Sequence, residues 1–347
     1  MTAPDASARP APRTVADAGE REVLAEVLAR IPIGEAELGP GDDAAVLAAA
    51  DGRFVVTTDT MIEGPDFRRA WSSPVELGRK AIASNLADVV AMGARPTGLV
   101  VALAVPRDTE VAWVAGLADG FASGLAELWP GCGVIGGDLA TAPVAMLAVT
   151  AFGSLDGRAP VTRAGARPGD VVAVAGPLGR AAGGLRLLFA RAVDGAGAPD
   201  AAALAALRAE GGLAAELVDQ QLAPAPPLRA GVAAAEAGAT AMMDMSDGLL
   251  LDADRLTIAS DVAIELDTAL VDDDVRALSA EFDRETALRL VLGGGEDHSL
   301  LACFGADAAL PAPFRPIGRV VESGEHRVLV DGVPADPAGW DPYAGLG

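Results

Sequence analysis

The sequence contains few of the residues on which several common catalytic and binding sites depend. Its single lysine, Lys80, follows Arg79 rather than a glycine, so the phosphate-binding motif GxxxxGK[ST] does not occur. This excludes P-loop and protein-kinase chemistry. The two cysteines, Cys132 and Cys303, lie far apart without CxxC spacing, which excludes a disulfide framework and a zinc site. We expect both cysteines to be buried.

Histidine is almost as scarce, with only His298 and His326 in the chain. Zinc clusters and most histidine relays therefore lack their usual ligands, and the absence of a GxSxG motif argues against a hydrolase triad. The segment GGGED at residues 293–297 lacks the spacing of the dinucleotide-binding motif GxGxxG. What remains is a nucleotide site that binds phosphates through Mg²⁺ and backbone amides instead of lysine.

Long apolar runs are also absent, since none approaches the roughly 20 residues of a membrane-spanning helix. The first 18 residues lack the basic and apolar regions of a signal peptide, so we predict a disordered tail at residues 1–18 and a cytoplasmic protein. The 49 acidic and 26 basic residues give a net charge of −23, which argues against nucleic acid and anionic membranes as partners. We expect partners that are small molecules or that carry their own cations.

Aspartates stand where apolar runs end or helices begin, and this is the most informative pattern in the sequence. They occur in the segments GDDAAV (Asp42, Asp43), VVTTDT (Asp59), NLAD (Asp88), IGGD (Asp138) and MDMSDG (Asp244, Asp247). Carboxylates gathered at one place repel one another, and Mg²⁺ prefers oxygen ligands of this kind. The pattern therefore predicts a site for several Mg²⁺ ions and a nucleotide phosphate. We expect Asp42 to be a turn residue, and Asp252 and Asp254 to be solvated on a helix face.

The periodicity predicts a mixed α/β protein with two domains, residues 19–158 and 159–347, because the composition shifts to Gly, Arg and Pro at residues 153–169. In the first domain it predicts helices at residues 19–34, 74–92 and 111–128 and strands at residues 54–58, 99–106, 134–135 and 144–152. In the second it predicts a strand at residues 171–175, packed helices within residues 181–238, a strand at residues 242–245 and a helix at residues 249–259.

Seven motifs in register resemble those of the thiamine-monophosphate kinase family. They are GDDAAV, TTDTMIEG, NLADVVAMGARP, GGD, TRAGARPGD, MDMSDGLLLD and GGED, and the similarity covers about residues 20–343. The family belongs to a superfamily with aminoimidazole ribonucleotide synthetase and selenophosphate synthetase. The resemblance implies a two-domain aminoimidazole ribonucleotide synthetase-like fold, with an N-terminal mixed sheet that has helices on one side and a C-terminal α/β domain.

The resemblance also implies ATP- and Mg²⁺-dependent phosphorylation of thiamine monophosphate to thiamine diphosphate, by direct in-line transfer within a homodimer. The metal ligands it implies, for several Mg²⁺ ions, are Asp43, Thr57, Thr58, Asp59, Asp88, Asp138, Asp244 and Asp247. The nucleotide contacts it implies are Gly137, Asp138, Arg163 and Ser246, and the thiamine contacts are Asp66, Glu296 and Trp340. It implies no general acid or base, which agrees with the chemistry, because a phosphate nucleophile is already anionic near neutral pH.

Departures from the family motifs leave alternatives open. Asp66 stands where the family usually has a substrate-contacting histidine, and it could face the cationic thiazolium, bind a metal or be solvated. His298 stands where tyrosine is common, and the segment GWDPY lacks the usual histidine and phenylalanine. One alternative function is a same-fold ATP-dependent synthetase acting on a purine precursor or another small phosphorylated substrate. Another is a maturation scaffold of the hydrogenase-accessory type, which acts through a C-terminal cysteine, and the ending YAGLG argues against it.

Overall fold

Two β-sheets, one from each half of the sequence, organise the chain in the computed structural model, which describes residues 12–40, 44–337 and 339. The helices, in chain order, are α1 (Val15–Ala18), α2 (Glu20–Leu28), α3 (Pro74–Ala91), α4 (Val111–Leu128), α5 (Arg180–Arg191), α6 (Ala201–Glu210), α7 (Gly212–Leu222), α8 (Arg229–Glu236), α9 (Leu249–Ser260), α10 (Asp272–Leu278) and α11 (Arg284–Gly293). The strands are β1 (Val55–Ile62), β2 (Arg95–Val105), β3 (Val134–Thr141), β4 (Met146–Ser154), β5 (Val171–Ala175), β6 (Ala241–Met245), β7 (Ala263–Leu266), β8 (Ser299–Phe304), β9 (Arg315–Val321), β10 (Val328–Val330) and β11 (Val333–Pro334).

The first sheet has the strand order β1-β4-β2-β3 and carries helices on one face. Strand β4 is antiparallel to β1 and β2, whereas β3 runs parallel to β2. Burial alternates along β1, so that Thr57 and Asp59 face α3 while Val56 and Thr58 are exposed on the other face. This confirms the predicted N-terminal mixed sheet with helices on one side.

Helix α3 begins where the sequence predicts, because Ser73 and Glu76 form a capping box and Pro74 occupies the first turn. The helix is buried over most of its length because it lies between the two sheets, with β1 and β4 on one side and β6, β8 and α8 on the other. One apolar core therefore runs from Leu86 on α3 to Met242 and Phe304 in the second sheet.

The second sheet is also mixed, with the strand order β11-β10-β7-β9-β5-β8-β6. Strand β8 is buried on both faces: Leu300 and Phe304 belong to the core shared with the first sheet, and Leu301 and Cys303 belong to a second core on the opposite face. Trp71, from the first half of the chain, is buried in this second core, where its Nε1 donates to Ala192 O at 2.6 Å. The two halves therefore share side chains in both cores.

Helix α4 has the length and mean hydropathy (1.2) of a candidate membrane span. It packs against α3, however, and buries Val114, Leu117 and Phe121, as a core helix of a folded domain does. Both cysteines are free and buried, as predicted.

The structure differs from the sequence-based expectations in several regions. Residues 15–18, expected within the disordered tail, form α1. Thr14 caps this helix, and Val15 N donates a hydrogen bond to Thr109 O at 2.7 Å. The third strand extends to Thr141 rather than ending at residue 135, because glycine permits close pairing: a Cβ atom at Gly137 would lie 2.3 Å from Val101 O. Strands β7 to β11 and helices α10 and α11 follow residue 260, where we predicted no elements. The predicted boundary near residue 158 falls in the connection between β4 and β5.

Candidate active site

Predicted metal ligands from both halves of the chain meet where α3 passes between the sheets. Asp59 lies on the side of β1 that faces α3, and Thr57 Oγ1 on the same side donates to Asp88 Oδ2 at 2.9 Å. Asp244 is buried on β6 in the same alternation as Met242, so its side chain is directed towards α3. The alternation of side chains along β1 and β6 thus directs Asp59 and Asp244 towards α3, which carries Asp88.

These carboxylates act on one another electrostatically. Burial, followed by the charges of Asp244 and Asp59, raises the pKa of Asp88 to about 7, although the hydrogen bond from Thr57 lowers it. Burial also raises the pKa of Asp59 above its ordinary value; His298 opposes this effect, whereas Asp244 adds to it. Without a cation, the site therefore holds negative charge at a cost in free energy. Oxygen-only donors of this kind fit Mg²⁺.

No group of three or more histidine, cysteine or carboxylate side chains stands close enough to ligate one ion within residues 12–40, 44–337 and 339. Asp59, Asp88 and Asp244 are thus near enough to shift a pKa but are not arranged as a closed metal cluster.

A second group of charges adjoins the carboxylates and includes residues that the sequence did not single out as partners. His298 Nδ1 lies 3.7 Å from Asp244 Oδ2, too far for a hydrogen bond, and Lys80 Nζ forms an ion pair with Glu296 Oε2. Burial alone would lower the pKa of His298, but Asp244 and Glu296 raise it. Burial alone would raise the pKa of Glu296, but Lys80 and His298 lower it. A continuous set of charges therefore runs from Lys80 to the three aspartates.

Two glycine-containing turns hold Asp244 and Glu296 in place. The turn after β6 contains Ser246, whose carbonyl accepts a hydrogen bond from Glu296 N at 2.8 Å. A Cβ atom at Gly295 would lie 2.3 Å from the same carbonyl, and one at Gly248 would lie 2.5 Å from the Gly293 carbonyl. Only glycine allows the two turns to approach this closely.

Asp252 is the clearest error of the sequence-based expectations. We expected a solvated side chain, but it is fully buried, and its Oδ2 accepts hydrogen bonds from Asp247 N at 3.0 Å and Gly248 N at 3.2 Å. Burial raises its pKa to about 6. Arg255 bridges Asp252 and the predicted metal ligand Asp247, at 2.7 and 2.5 Å. The acidic residue in the first turn of α9 therefore supports the turn after β6, a role that the motif SDGLLLD could have suggested.

The first sheet separates Thr58 and Asp138 from the other predicted ligands. In the strand register, Asp59 shares one row across the sheet with Gly137, whereas Asp138 belongs to the next row and so faces the opposite side. Strands β1 and β3 are also the two edges of this sheet, three strand spacings or about 14 Å apart. Thr58 Oγ1 donates to Val149 O at 3.0 Å. Asp138 and Asp59 of one chain therefore do not share an ion.

A cavity of about 500 Å³ lies between α2, α4 and strands β2 and β3. Its walls are mainly apolar and include Leu28, Phe121 and Ile135, and Gly137 and Asp138 also line it. The predicted nucleotide contacts Gly137 and Asp138 thus border a space of the size that a small heterocycle occupies.

The remaining predicted residues are dispersed. Arg163 is exposed in the connection between the sheets, and its backbone carbonyl accepts a hydrogen bond from Ser260 Oγ at 2.6 Å. Asp66 is exposed, and its Oδ2 accepts a hydrogen bond from Ile62 N at 2.7 Å, which closes the turn after β1. Asp43 and Trp340, and also Asp42, lie outside the described residues.

Comparisons with known proteins agree with the fold. Residues 41–155 match the family described as AIR synthase related protein, N-terminal domain. Thiamine-monophosphate kinase of Mycobacterium tuberculosis strain H37Rv is 45% identical over 313 residues, which cover 89% of this chain and 84% of that protein. The crystal structure of thiamine-monophosphate kinase from Stenotrophomonas maltophilia K279a has a TM-score of 0.72 at 32% identity, covering 91% of this chain and 96% of that one. A structure described as AaThiL complexed with AMPPCP and TMP has a TM-score of 0.71 at 30% identity, covering 86% and 90%.

Proposed function

The chain belongs to the thiamine-monophosphate kinase family, and from this premise we propose that it transfers the γ-phosphoryl group of ATP directly to the phosphate of thiamine monophosphate, forming thiamine diphosphate. The observation that carries the proposal is that the partly buried Asp59 and Asp88, whose pKa values are raised, and the buried Asp244, from the other half of the chain, meet at one place. A relative of similar fold is described as complexed with AMPPCP and TMP, an ATP analogue and the acceptor.

The residues present suit a transfer that needs no general base. The acceptor phosphate is already an anion, so the barrier lies in bringing two anions together in line. Asp59, Asp88 and Asp244, with the Thr57 hydroxyl, would hold Mg²⁺, which when bound neutralises the phosphate charges. The chain itself fixes these oxygens on rigid elements and keeps water away through the apolar core around α3.

We propose that the adenine ring of ATP occupies the cavity between α2, α4, β2 and β3. Its apolar walls, with Phe121 among them, suit a flat heterocycle, and Gly137 allows the phosphates to pass close to the backbone. Asp138 would hold a metal-bound phosphate at the border of the cavity, while Ser246 and the exposed Arg163 would contact the phosphates from the second half of the chain.

At the acceptor end, we propose that Glu296 contacts the thiamine moiety. The family resemblance implies the same contact for Trp340. Asp66 takes a different role here, because its carboxylate is already bound to Ile62 N in the turn after β1. The side chain that replaces the expected histidine therefore supports the turn after β1.

We also propose that the chain works as a homodimer, in the cytoplasm, where ATP and Mg²⁺ are available. The outer face of the first sheet exposes large apolar side chains: Phe54 at 61%, Val56 at 52% and Ile62 at 37%. Asp138 lies on that face too, away from Asp59, so a second copy seated there would pack beside Asp138. Sedimentation equilibrium of wild type and Val56→Lys tests this, and a monomeric wild type would refute it.

The function is tested by incubating the purified protein with ATP, Mg²⁺ and thiamine monophosphate and identifying the product by mass. We expect thiamine diphosphate and ADP from wild type, and a loss of at least about 100-fold in kcat for Asp59→Asn and Asp244→Asn. Asp307→Asn, at an exposed position, is the matched control and should retain full activity. Release of ADP with a purine precursor but not with thiamine monophosphate would favour the same-fold synthetase instead.

A further inference from the structure

Lys80, the single lysine of the chain, is buried on α3 with 9% of its side chain exposed. A buried ammonium group is stable only when its N–H bonds and its charge are satisfied. Lys80 Nζ pairs with Glu296 Oε2 and donates to the Gln221 backbone carbonyl at 3.2 Å. With the Gln221 amide oriented so that its nitrogen donates to Ala181 O, its side-chain oxygen accepts the third N–H at 3.1 Å.

Because all three donors are used within the protein, Lys80 has none left for a phosphate of ATP. Its place on α3 supports this reading. Lys80, Ser84 and Asp88 are spaced at i, i+4 and i+8 and so lie along one face of the helix, with Lys80 about 12 Å along the axis from Asp88. The lysine therefore stands at the far end of the site from the aspartates that would hold metal and phosphate.

The loop that carries Glu296 needs contacts with residues outside the loop to keep its conformation. Glu296 and His298 both have left-handed backbone conformations, with φ of 71° and 50°, although neither is glycine. The hydrogen bond from Glu296 N to Ser246 O fixes the backbone, and Lys80 fixes the direction of the side chain. Because 38% of the Glu296 side chain stays exposed, part of the carboxylate can still meet a ligand.

We propose that Lys80 is a positioning residue for the acceptor: it holds the Glu296 carboxylate in the orientation that receives the cationic, nitrogen-rich ring system of thiamine monophosphate. The inference rests on the proposed function. Lys80 acts only through Glu296 and contacts neither ATP nor the reacting phosphates.

The test measures KM and kcat for both substrates in Lys80→Met, Glu296→Gln and the double variant. Arg79→Met is the matched control, because Arg79 is the neighbouring residue on α3 and pairs with Glu127 on α4, away from the site. We expect Lys80→Met to raise the KM for thiamine monophosphate about ten-fold, with the KM for ATP changed less than about two-fold. Arg79→Met should change neither.

The double variant separates positioning from a structural role. Removing both charges should restore the thermal midpoint towards that of wild type while the KM for thiamine monophosphate stays as high as in Glu296→Gln alone. The inference would be overturned if Lys80→Met raised the KM for thiamine monophosphate by the same factor in the Glu296→Gln background as in wild type. It would also be overturned if the KM of the double variant recovered together with its thermal midpoint. A parallel rise in the KM for ATP would overturn it too. If Lys80→Met does not fold, the KM for thiamine monophosphate of Glu296→Gln is compared with that of the double variant. Equal KM values support the inference, and a lower KM in the double variant overturns it. A wild type that makes no thiamine diphosphate would overturn the proposed function and this inference with it.

Discussion

Replacing Asp88 by asparagine should stabilise the metal-free protein at pH 8 while removing its activity. Asparagine keeps the shape of the side chain and can still accept the hydrogen bond from Thr57 Oγ1, so packing on α3 is retained. Only the charge is lost. In wild type that charge is buried beside Asp59 and Asp244, where it destabilises the native state.

The size of the effect follows from the pKa of Asp88, about 7 in the native state against an ordinary value of 3.8. Between these values the native state holds a proton that the unfolded chain has released, so the stability of wild type falls as pH rises through this window. At about 1.36 kcal/mol per pH unit, the full difference is about 4 kcal/mol at pH 8, as an upper value, because Asp59 and Asp244 relax together with Asp88. More than half of it should disappear by pH 5.

Urea unfolding in EDTA, followed by tryptophan fluorescence at pH 5 and pH 8, measures this difference. Asp307→Asn, at an exposed position, should show no comparable pH-dependent gain over wild type. Adding Mg²⁺ should stabilise wild type more than Asp88→Asn. A difference between Asp88→Asn and wild type that is the same at both pH values, or a variant that is less stable at pH 8, would refute the reasoning.

Three further outcomes concern packing and hydrogen bonds, and urea unfolding checks each. Trp71→Ala should lower the free energy of unfolding by about 3–5 kcal/mol, because it removes a ring from the second core and a hydrogen bond to Ala192 O; wild-type stability would contradict the shared core. Gly184→Ala would place a Cβ atom 2.0 Å from a backbone carbonyl of α7 and should cost about 1–3 kcal/mol, whereas Gly305→Ala, in open space, should cost little; equal effects would exclude close packing of α5 and α7 as the cause. Asp252→Ala leaves two buried amides without an acceptor and should cost about 1–3 kcal/mol for each; an unchanged midpoint would mean that water replaces the carboxylate.

The elements that the sequence predicted are those whose signals are local. Helix α3 has its cap, its first-turn proline and its apolar face within one stretch, and β1 shows its alternation in eight residues. The aspartates at the ends of these elements could be identified as candidate site residues for the same reason. Their convergence follows from a topology that the family resemblance implied and the structure agrees with.

What the sequence could not provide depends on contacts between distant residues. Strand β8 is buried on both faces, so its apolar run lacks the alternation that distinguishes a strand from a helix. The pairing of Lys80 with Glu296 joins α3 to a loop far along the chain, and no local sequence pattern indicates it. Thr58 and Asp138 lie on the opposite face of the first sheet from Asp59. This separation depends on the register of the strands, which no sequence motif specifies.

The position of α3 between the two sheets has a consequence for how the molecule can move. Neither half has a complete interior of its own, since a fragment that ended in the connection at residues 155–170 would leave one flank of the helix in water. Swinging the halves apart would break the same contacts, so we expect a rigid frame throughout the reaction cycle. The spacing between carboxylates on β1 and β6 is then fixed once, at folding, and adjustment to substrates is left to side chains and short turns.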